Sequence, residues 1–479
     1  MSLRAKALSG LFWSFIDSFF VKGISFITLM FLARWLGPKD FGIFSLMALF
    51  IGVGTTLVDS GLSSSIIRTK DTDNVDYSTV LLINITIAFL VYVGLFFLAP
   101  SIAKFFSQDI LCNLIRVYCL TFITSAFSAV QLAILTKNMR FRRIMILNIP
   151  GTLVGIVIGL SMAYKDYGVW SMVGMYLSTQ IIFSLLLWSS TSWAPSLRFS
   201  LEKAKYHLNF GYKLVLASLL NLIFDNSYNI LIGKFYPVQI LGYFDRAKQL
   251  TDFPSMALTS VVGKVTYPML SQLQGDRVRI SEVYKKILRS TFFTIAPFMI
   301  GAAAIAYPLF DLVLGEEWIL AVPFFQILSI PAILYPIHAF HINILKVYGR
   351  TDLFLKLEIV KKIIILVSLF VGFQFGILGM VWSIVLNSIF CLLINSHYTS
   401  QFINYKKKHQ ILDLFPILMI GIIMFLTVTQ SLHFFSHYTS FIKVTLSALV
   451  GAFVYITMSL LLPKSPIYEL FETIKPPKI

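Results

Sequence analysis

Charged and amide side chains stand inside long apolar runs of this 479-residue chain, where hydrocarbon would not tolerate them unpaired. Ser14, Ser18, Lys22 and Ser25 are spaced 4, 4 and 3 apart, so they share one helical face, with Asp17 beside it. Thr56, Asp59 or Ser60, and Ser63 form a second stripe. Asn221, Asp225 and Asn229 recur every fourth residue, with Asn226 and Tyr228 nearby. Asp252, Ser255, Thr259, Ser260 and Lys264 make a fourth. A charge at the bilayer centre costs at least about 2.5–3.5 kcal/mol, so these groups must face protein or a wet cavity. Two readings stand open for each. Either they pair and hold helices together, Asp17 or Asp59 neutralising Lys22, or they line a shared cavity with Lys22, Lys264 and Lys213 as its cations. The stripes fall on the first two spans of each half of the chain, and that placement points to the shared cavity. Arg34, Lys234, Arg246 and Lys248 are placed as a basic outer mouth, with plain surface solvation as the alternative.

The elements that carry these residues are membrane spans. The chain is 57% hydrophobic and 13% charged, whereas a soluble protein is nearer 45–50% and about 25%. Segments of roughly 20 apolar residues recur about 14 times. Their approximate ranges are 10–35, 41–67, 78–99, 110–136, 146–164, 168–189, 208–233, 252–273, 288–313, 319–345, 355–374, 376–399, 411–431 and 439–462. The seventh, eighth and eleventh carry the most polar residues. Net charge +17 is explained by loop bias rather than nucleic acid. With the N-terminus inside, about 27 of the 39 basic residues fall on the cytoplasmic side and about 8 outside, and both termini are cytoplasmic. The longest cytoplasmic links, near 190–207, 274–288 and 400–411, leave no room for a soluble domain. The first segment runs to about Leu36 without a cleavage site and reads as a retained span.

An internal repeat divides the chain. Leu32–Arg68 returns as Leu231–Ser271, with Gly42-Ile43-Phe44 matching Gly242-Tyr243-Phe244. Residues 1–200 then hold six spans, 201–400 six more, and 401–479 an added pair and a cytoplasmic tail. Repetition at half-length in a hydrophobic chain points to a two-lobed transporter.

Other chemistry is weaker. No G-x-x-x-x-G-K-[ST] loop occurs, and no carboxylate pair, metal cluster or nucleophile–base set stands out, so neither an enzyme nor a cofactor is expected. Cys112, Cys119 and Cys391 read as small hydrophobes. Gly151, Gly155 and Gly159 form a close-packing motif. His338 and His341 share a helical face, as a hydrogen-bonded structural pair or a proton relay. Arg116 is expected to snorkel to the outer interface, and His433 and His437 to lie in a loop.

Leu32-Ala-Arg-Trp-Leu-Gly-Pro-Lys-Asp-Phe-Gly-Ile-Phe-Ser, followed by Asp59-Ser-Gly-Leu-Ser-Ser-Ser-Ile-Ile-Arg68, resembles the opening of bacterial polysaccharide-exporter flippases of the Wzx type. So does Leu241-Gly-Tyr-Phe-Asp-Arg-Ala-Lys-Gln-Leu250, with Pro254 and Tyr267–Asp276 after it. The resemblance implies the multidrug/oligosaccharidyl-lipid/polysaccharide exporter superfamily. It implies an all-α polytopic membrane protein with two six-helix lobes in a V around a central cavity, plus two C-terminal helices, working by alternating access. The implied substrate is a polyprenyl-diphosphate-linked oligosaccharide repeat unit, moved from the inner to the outer leaflet for surface polysaccharide assembly. Membrane lipid and a polysaccharide polymerase are the implied partners, in the bacterial inner membrane. The last two spans, 411–462, are expected to form a groove for the lipid tail. Two rivals are a cation-coupled small-molecule exporter using Asp17, Asp59 or Asp225, and a membrane polymerase or ligase. The second needs a large outer loop that this chain lacks.

Overall fold

The structure is a computed structural model. It describes residues 3–59, 61–196, 198–462 and 466, without the side chains of residues 3–22, 213, 264, 265, 268 and 351. Every regular element among the described residues is helical. Close Cα approach divides the chain into two units, Met1–Gly242 and Tyr243–Ile479.

Unit 1 opens with α1 (Leu3–Asp59), which carries the first expected span and most of the second across a kink. The kink is at Gly37 (φ 73°), a backbone conformation that costs a residue with a Cβ and costs glycine nothing. Pro38 reinforces the bend because it donates no backbone hydrogen bond. A second left-handed glycine, Gly61 (φ 63°), starts α2 (Leu62–Arg68). Next come α3 (Asn74–Phe106), α4 (Ile110–Tyr118), α5 (Leu120–Lys137), α6 (Phe141–Tyr164) and α7 (Trp170–Ser190). Then α8 (Leu201–Asp225) and α9 (Ser227–Phe235) complete the unit, which also holds the start of α10 (Val238–Gln272). Gly151, Gly155 and Gly159 let α6 lie directly on α7. A Cβ at Gly151 would sit 2.9 Å from the Thr179 carbonyl oxygen, and one at Gly155 would collide with the Thr179 hydroxyl.

Unit 2 continues α10 and adds α11 (Arg277–Ala304), α12 (Ala306–Val313), a 3-10 turn (Glu316–Ala321), and α13 (Val322–Val347). It ends with α14 (Thr351–Gln374), α15 (Gly376–Phe402), α16 (Lys407–Phe434) and α17 (Ser440–Leu461). Its core gathers Tyr284, Phe292, Met299, Phe340, Ile344, Met424 and Tyr455 from several of these helices. Outward faces are apolar, with Phe97 and Phe453 more than 70% exposed, as lipid-bathed surfaces require.

Eleven segments among the described residues are long and apolar enough to cross a membrane. Gly23–Arg68 is one of them and covers the described part of the first two expected spans. The eighth and eleventh spans lie in α10 and α14, which are not among these eleven segments, so the count of about 14 is not confirmed. Several expected spans are broken. The fourth divides at Cys119, the seventh at Asn226 and the ninth at Ile305. Two expected links are shorter than hydropathy suggested. Residues 277–288 are already helix, because Asp276 caps α11 by accepting from the backbone N–H groups of Val278 (3.1 Å) and Arg279 (3.0 Å). Likewise α15 and α16 close the third link to residues 403–406. His433 belongs to the last turn of α16 rather than to the loop that contains His437.

Candidate substrate cavity

Thr55, Thr56, Asp59, Gly61 and Ser64 of α1 and α2 face Leu214, Val215 and Ser218 of α8 across a cavity of about 420 Å³ within unit 1. The helix break at Gly61 shapes this cavity. It turns the chain just after Asp59, leaving that carboxylate exposed on the wall. Thr55 returns its hydroxyl hydrogen to the Gly52 carbonyl (3.0 Å). The wall is therefore hydroxyl-rich with one carboxylate, a surface suited to hydrated or sugar-like groups.

Of the residues proposed for the cavity, Asp59 lines it. Lys213 lies beside Leu214 in the chain of α8, but its side chain falls outside the described residues, as do those of Asp17, Lys22 and Lys264. Asn221 and Asp225 are exposed further along α8 and are not among this cavity's lining residues. Asn229 stands apart from them in α9, because the helix is interrupted at Asn226, whose side-chain amide donates to the Leu222 carbonyl (2.9 Å). The evenly spaced amide stripe is thus split between two helices.

The proposed outer mouth is also uneven. Arg34 is exposed. Lys234 donates to the Phe105 carbonyl at the end of α3 (2.6 Å) and lies 4.4 Å from the centre of its ring. In unit 2, Lys248 pairs with Asp252 one helical turn away. Arg246 corrects the solvation reading, since it is buried to 1% exposure.

Two arrangements in unit 1 escaped sequence reasoning. The matched glycines of the repeat touch. Gly42 and Gly242 are both buried, a Cβ at Gly42 would run into the Val238 carbonyl, and one at Gly242 into the Pro38 carbonyl. The matching triplets were a visible signal of repetition, but not of contact. The other arrangement is a polar network where α2, α3 and α8 meet. His207 is fully buried, with Nδ1 2.7 Å from Ser65 Oγ and Nε2 3.3 Å from Asp76 Oδ1. Lys203 donates to Asp76 (2.8 Å) and Asp73 (2.6 Å), and its hydrogen bond, with that of the Asp76 backbone, holds the exposed Asp73 carboxyl well below the ordinary carboxylate range. Asp73 and Asp76 form a reciprocal capping box at the start of α3. That motif was readable in the sequence. Although Ser65, His207 and Asp76 have the residue types of a hydrolytic triad, Ser65 is itself buried to 2% exposure, so no substrate carbonyl reaches it.

Unit 2 offers a second, apolar cavity of about 530 Å³ between α11, α12, α16 and α17. Pro297, Gly301, Met424, Ala448, Gly451 and Ala452 contribute to its walls. His338 and His341 hold separate partners. His338 Nε2 meets Ser388 (3.0 Å), while His341 Nδ1 meets Tyr284 (2.9 Å) and Thr399 (3.0 Å), in keeping with a structural role. Arg116 donates to the Phe96 carbonyl (3.3 Å) and stacks on that ring (4.3 Å). Among the described residues, no group of three His, Cys, Asp or Glu side chains is placed to hold a metal.

A polar cavity against a broken helix in a polytopic helical membrane protein is an arrangement that transporters use for their substrate sites. The fold is similar to that of a lipid II flippase, MurJ, in an inward closed conformation, with a TM-score of 0.77 and 15% identity, covering 96% of this chain and 100% of that one. It is also similar to an inward-facing multidrug resistance MATE family transporter of the MOP superfamily, with a TM-score of 0.58 and 17% identity over 78% of this chain and 94% of that one. Among curated sequences, the lipopolysaccharide biosynthesis protein WzxC of Escherichia coli is 24% identical over 376 residues, 78% of this chain and 76% of its own length. The chain belongs to the polysaccharide biosynthesis protein family, whose model matches residues 31–323.

Proposed function

We propose that this chain is a lipid-linked oligosaccharide flippase, a transporter and not an enzyme. It carries a polyprenyl-diphosphate-linked repeat unit from the cytoplasmic to the outer leaflet of the bacterial inner membrane, for assembly of a lipopolysaccharide or exopolysaccharide. The observation that carries this reading is the family match combined with a fold that aligns with a lipid flippase over nearly the whole chain, residues beyond 400 included. The multidrug transporter covers less of the chain, which leaves the small-molecule exporter reading the less favoured.

The chemistry supports it. A diphosphate and its sugars cannot cross hydrocarbon unaided, and a wet cavity lowers that barrier. The hydroxyls of Thr55, Thr56, Ser64 and Ser218 suit sugar hydroxyls. Lys22, Lys264 and Lys213 would meet the diphosphate. The apolar cavity of unit 2, walled in part by the last two helices, would hold polyprenyl methylenes, each burying about 0.8 kcal/mol. In this reading residues 1–200 and 201–400 are the two lobes in a V, residues 401–479 the addition, both termini are cytoplasmic, and a polysaccharide polymerase receives the product.

Reconstitution into proteoliposomes tests the proposal. A polyprenyl-diphosphate glycan loaded in one leaflet should become accessible to an impermeant glycosidase on the opposite side, only in protein-containing vesicles. Drug efflux without glycan movement would replace this reading with the exporter.

A further inference from the structure

We propose that Ser65, Asp76 and His207 form a proton-operated latch that closes one end of the cavity between α1 and α8. The proposal rests on the flippase working by alternating access, because that gives α8 a reason to leave α2 and α3.

The latch is a layer of contacts between the cavity and the loop at residues 69–73. Deepest, Gly61 faces Gly211, where a Cβ at Gly61 would lie 2.9 Å from the Gly211 Cα. Next, Arg68 sits over the Phe210 ring at 4.8 Å. Then His207 bridges Ser65 and Asp76. Outermost, Lys203 ties Asp76 to Asp73, and the Ser200 backbone N–H donates to Thr79 (3.1 Å). Thus the first three turns of α8 are held by α2 and α3, and the cavity begins one turn further on, at Leu214.

Hydrogen-bond bookkeeping fixes what a proton does here. Asp76 only accepts, so neutral His207 keeps its N–H on Nε2 toward Asp76, and Nδ1 accepts from the Ser65 hydroxyl. A proton taken from solution onto Nδ1 makes that nitrogen a donor. The Ser65 hydroxyl rotates to accept, both bonds survive, and the bond to Asp76, already charge-assisted by its carboxylate, becomes an ion pair. Protonation therefore tightens the closed arrangement without breaking any contact. The charged and titratable groups around His207 are Asp76 of α3, which it touches, Lys203 and Asp73, which are bound to Asp76 or to each other, and Tyr206 on its own helix, while Arg68 of α2 sits over Phe210 one turn along α8 and Asp59 of α1 lies beyond, on the cavity wall. Lys137 of α5 stands behind them, donating to the Thr69 carbonyl (2.6 Å) and the Thr72 hydroxyl (2.6 Å). Imidazole is the only one of these side chains that ordinarily changes charge between about pH 5 and 8.

The experiment uses the full chain in lipid nanodiscs. Cys112, Cys119 and Cys391 are replaced by Ala, and Ser218→Cys reports access to the cavity wall. Its labelling rate with an impermeant maleimide is divided by that of Ser436→Cys, a loop position, which cancels the thiol's own titration. Lowering the pH from about 8 to about 6 should slow relative labelling about tenfold. His207→Gln should abolish that slope, and Asp76→Asn should abolish it and raise access throughout. No slope in the parent, or the same slope in either variant, overturns the latch. Should either variant be poorly folded, the parent decides through its histidine resonances, since a His207 signal that does not titrate alongside labelling also overturns it. Because no glycan is present, a failed latch leaves the flippase reading intact. A working latch in a protein that moves no glycan would remove the flippase reading instead.

Discussion

Lys22 and Lys264 carry the cationic side of the substrate hypothesis, Lys22 from the first span of the chain and Lys264 from the second span of the other half. Lys22→Ala and Lys264→Ala should each lower surface polysaccharide at least about tenfold at unchanged protein level, the equivalent of ~1.4 kcal/mol or more of lost diphosphate binding. Polymer assays with membrane immunoblots measure both quantities. Full polymer in both variants would remove the cationic cavity. Asp59 was legible because a carboxylate in an apolar run is anomalous at once. His207 was not, because it lies near the start of a helix among Lys203, Lys205 and Tyr206, where a polar residue needs no explanation. Its importance follows from burial, which only packing creates.

At the scale of elements, the breaks matter more than the helices. Gly61 and Asn226 interrupt the second and seventh spans beside their polar residues, where an interrupted helix frees backbone groups that must be satisfied by side chains or a wet cavity. The Gly42–Gly242 contact sets how near the first turn of α10 lies to α1 within unit 1. Gly42→Val should push the two apart and cost about 1–3 kcal/mol, the usual range for overpacking, seen as a lower melting temperature of the purified protein. An unchanged melting temperature would mean that the contact is loose. In unit 2, Ala452→Trp places an indole in the apolar cavity from an exposed wall position. Translocation of a long polyprenyl substrate should fall several-fold while that of a short-chain analogue is spared, as proteoliposome assays of both would show. Equal losses would argue against a tail groove.

For the whole molecule, the drive for transport follows from the proposed cargo. Outward movement of two negative charges along an inside-negative potential gains about 2.3 kcal/mol per charge per 100 mV. Imposing a potassium-diffusion potential of that sign on proteoliposomes should speed glycan translocation and reversing it should slow it. A rate indifferent to the potential would require the diphosphate to travel neutralised.

A multi-pass membrane protein, a repeat at half-length and a family resemblance are all readable from the residues in order. Apolar length, loop charge and repeated motifs are local properties that survive being read in one dimension. Which polar groups meet is decided by packing. It joined residues 65, 76 and 207 in one buried network, set the repeat's two glycines against each other, placed Asp59 on a cavity wall and withdrew Arg246 from solvent. Such contacts bring together residues 100 or more positions apart, and helical periodicity names the face of a helix without naming the helix that it meets.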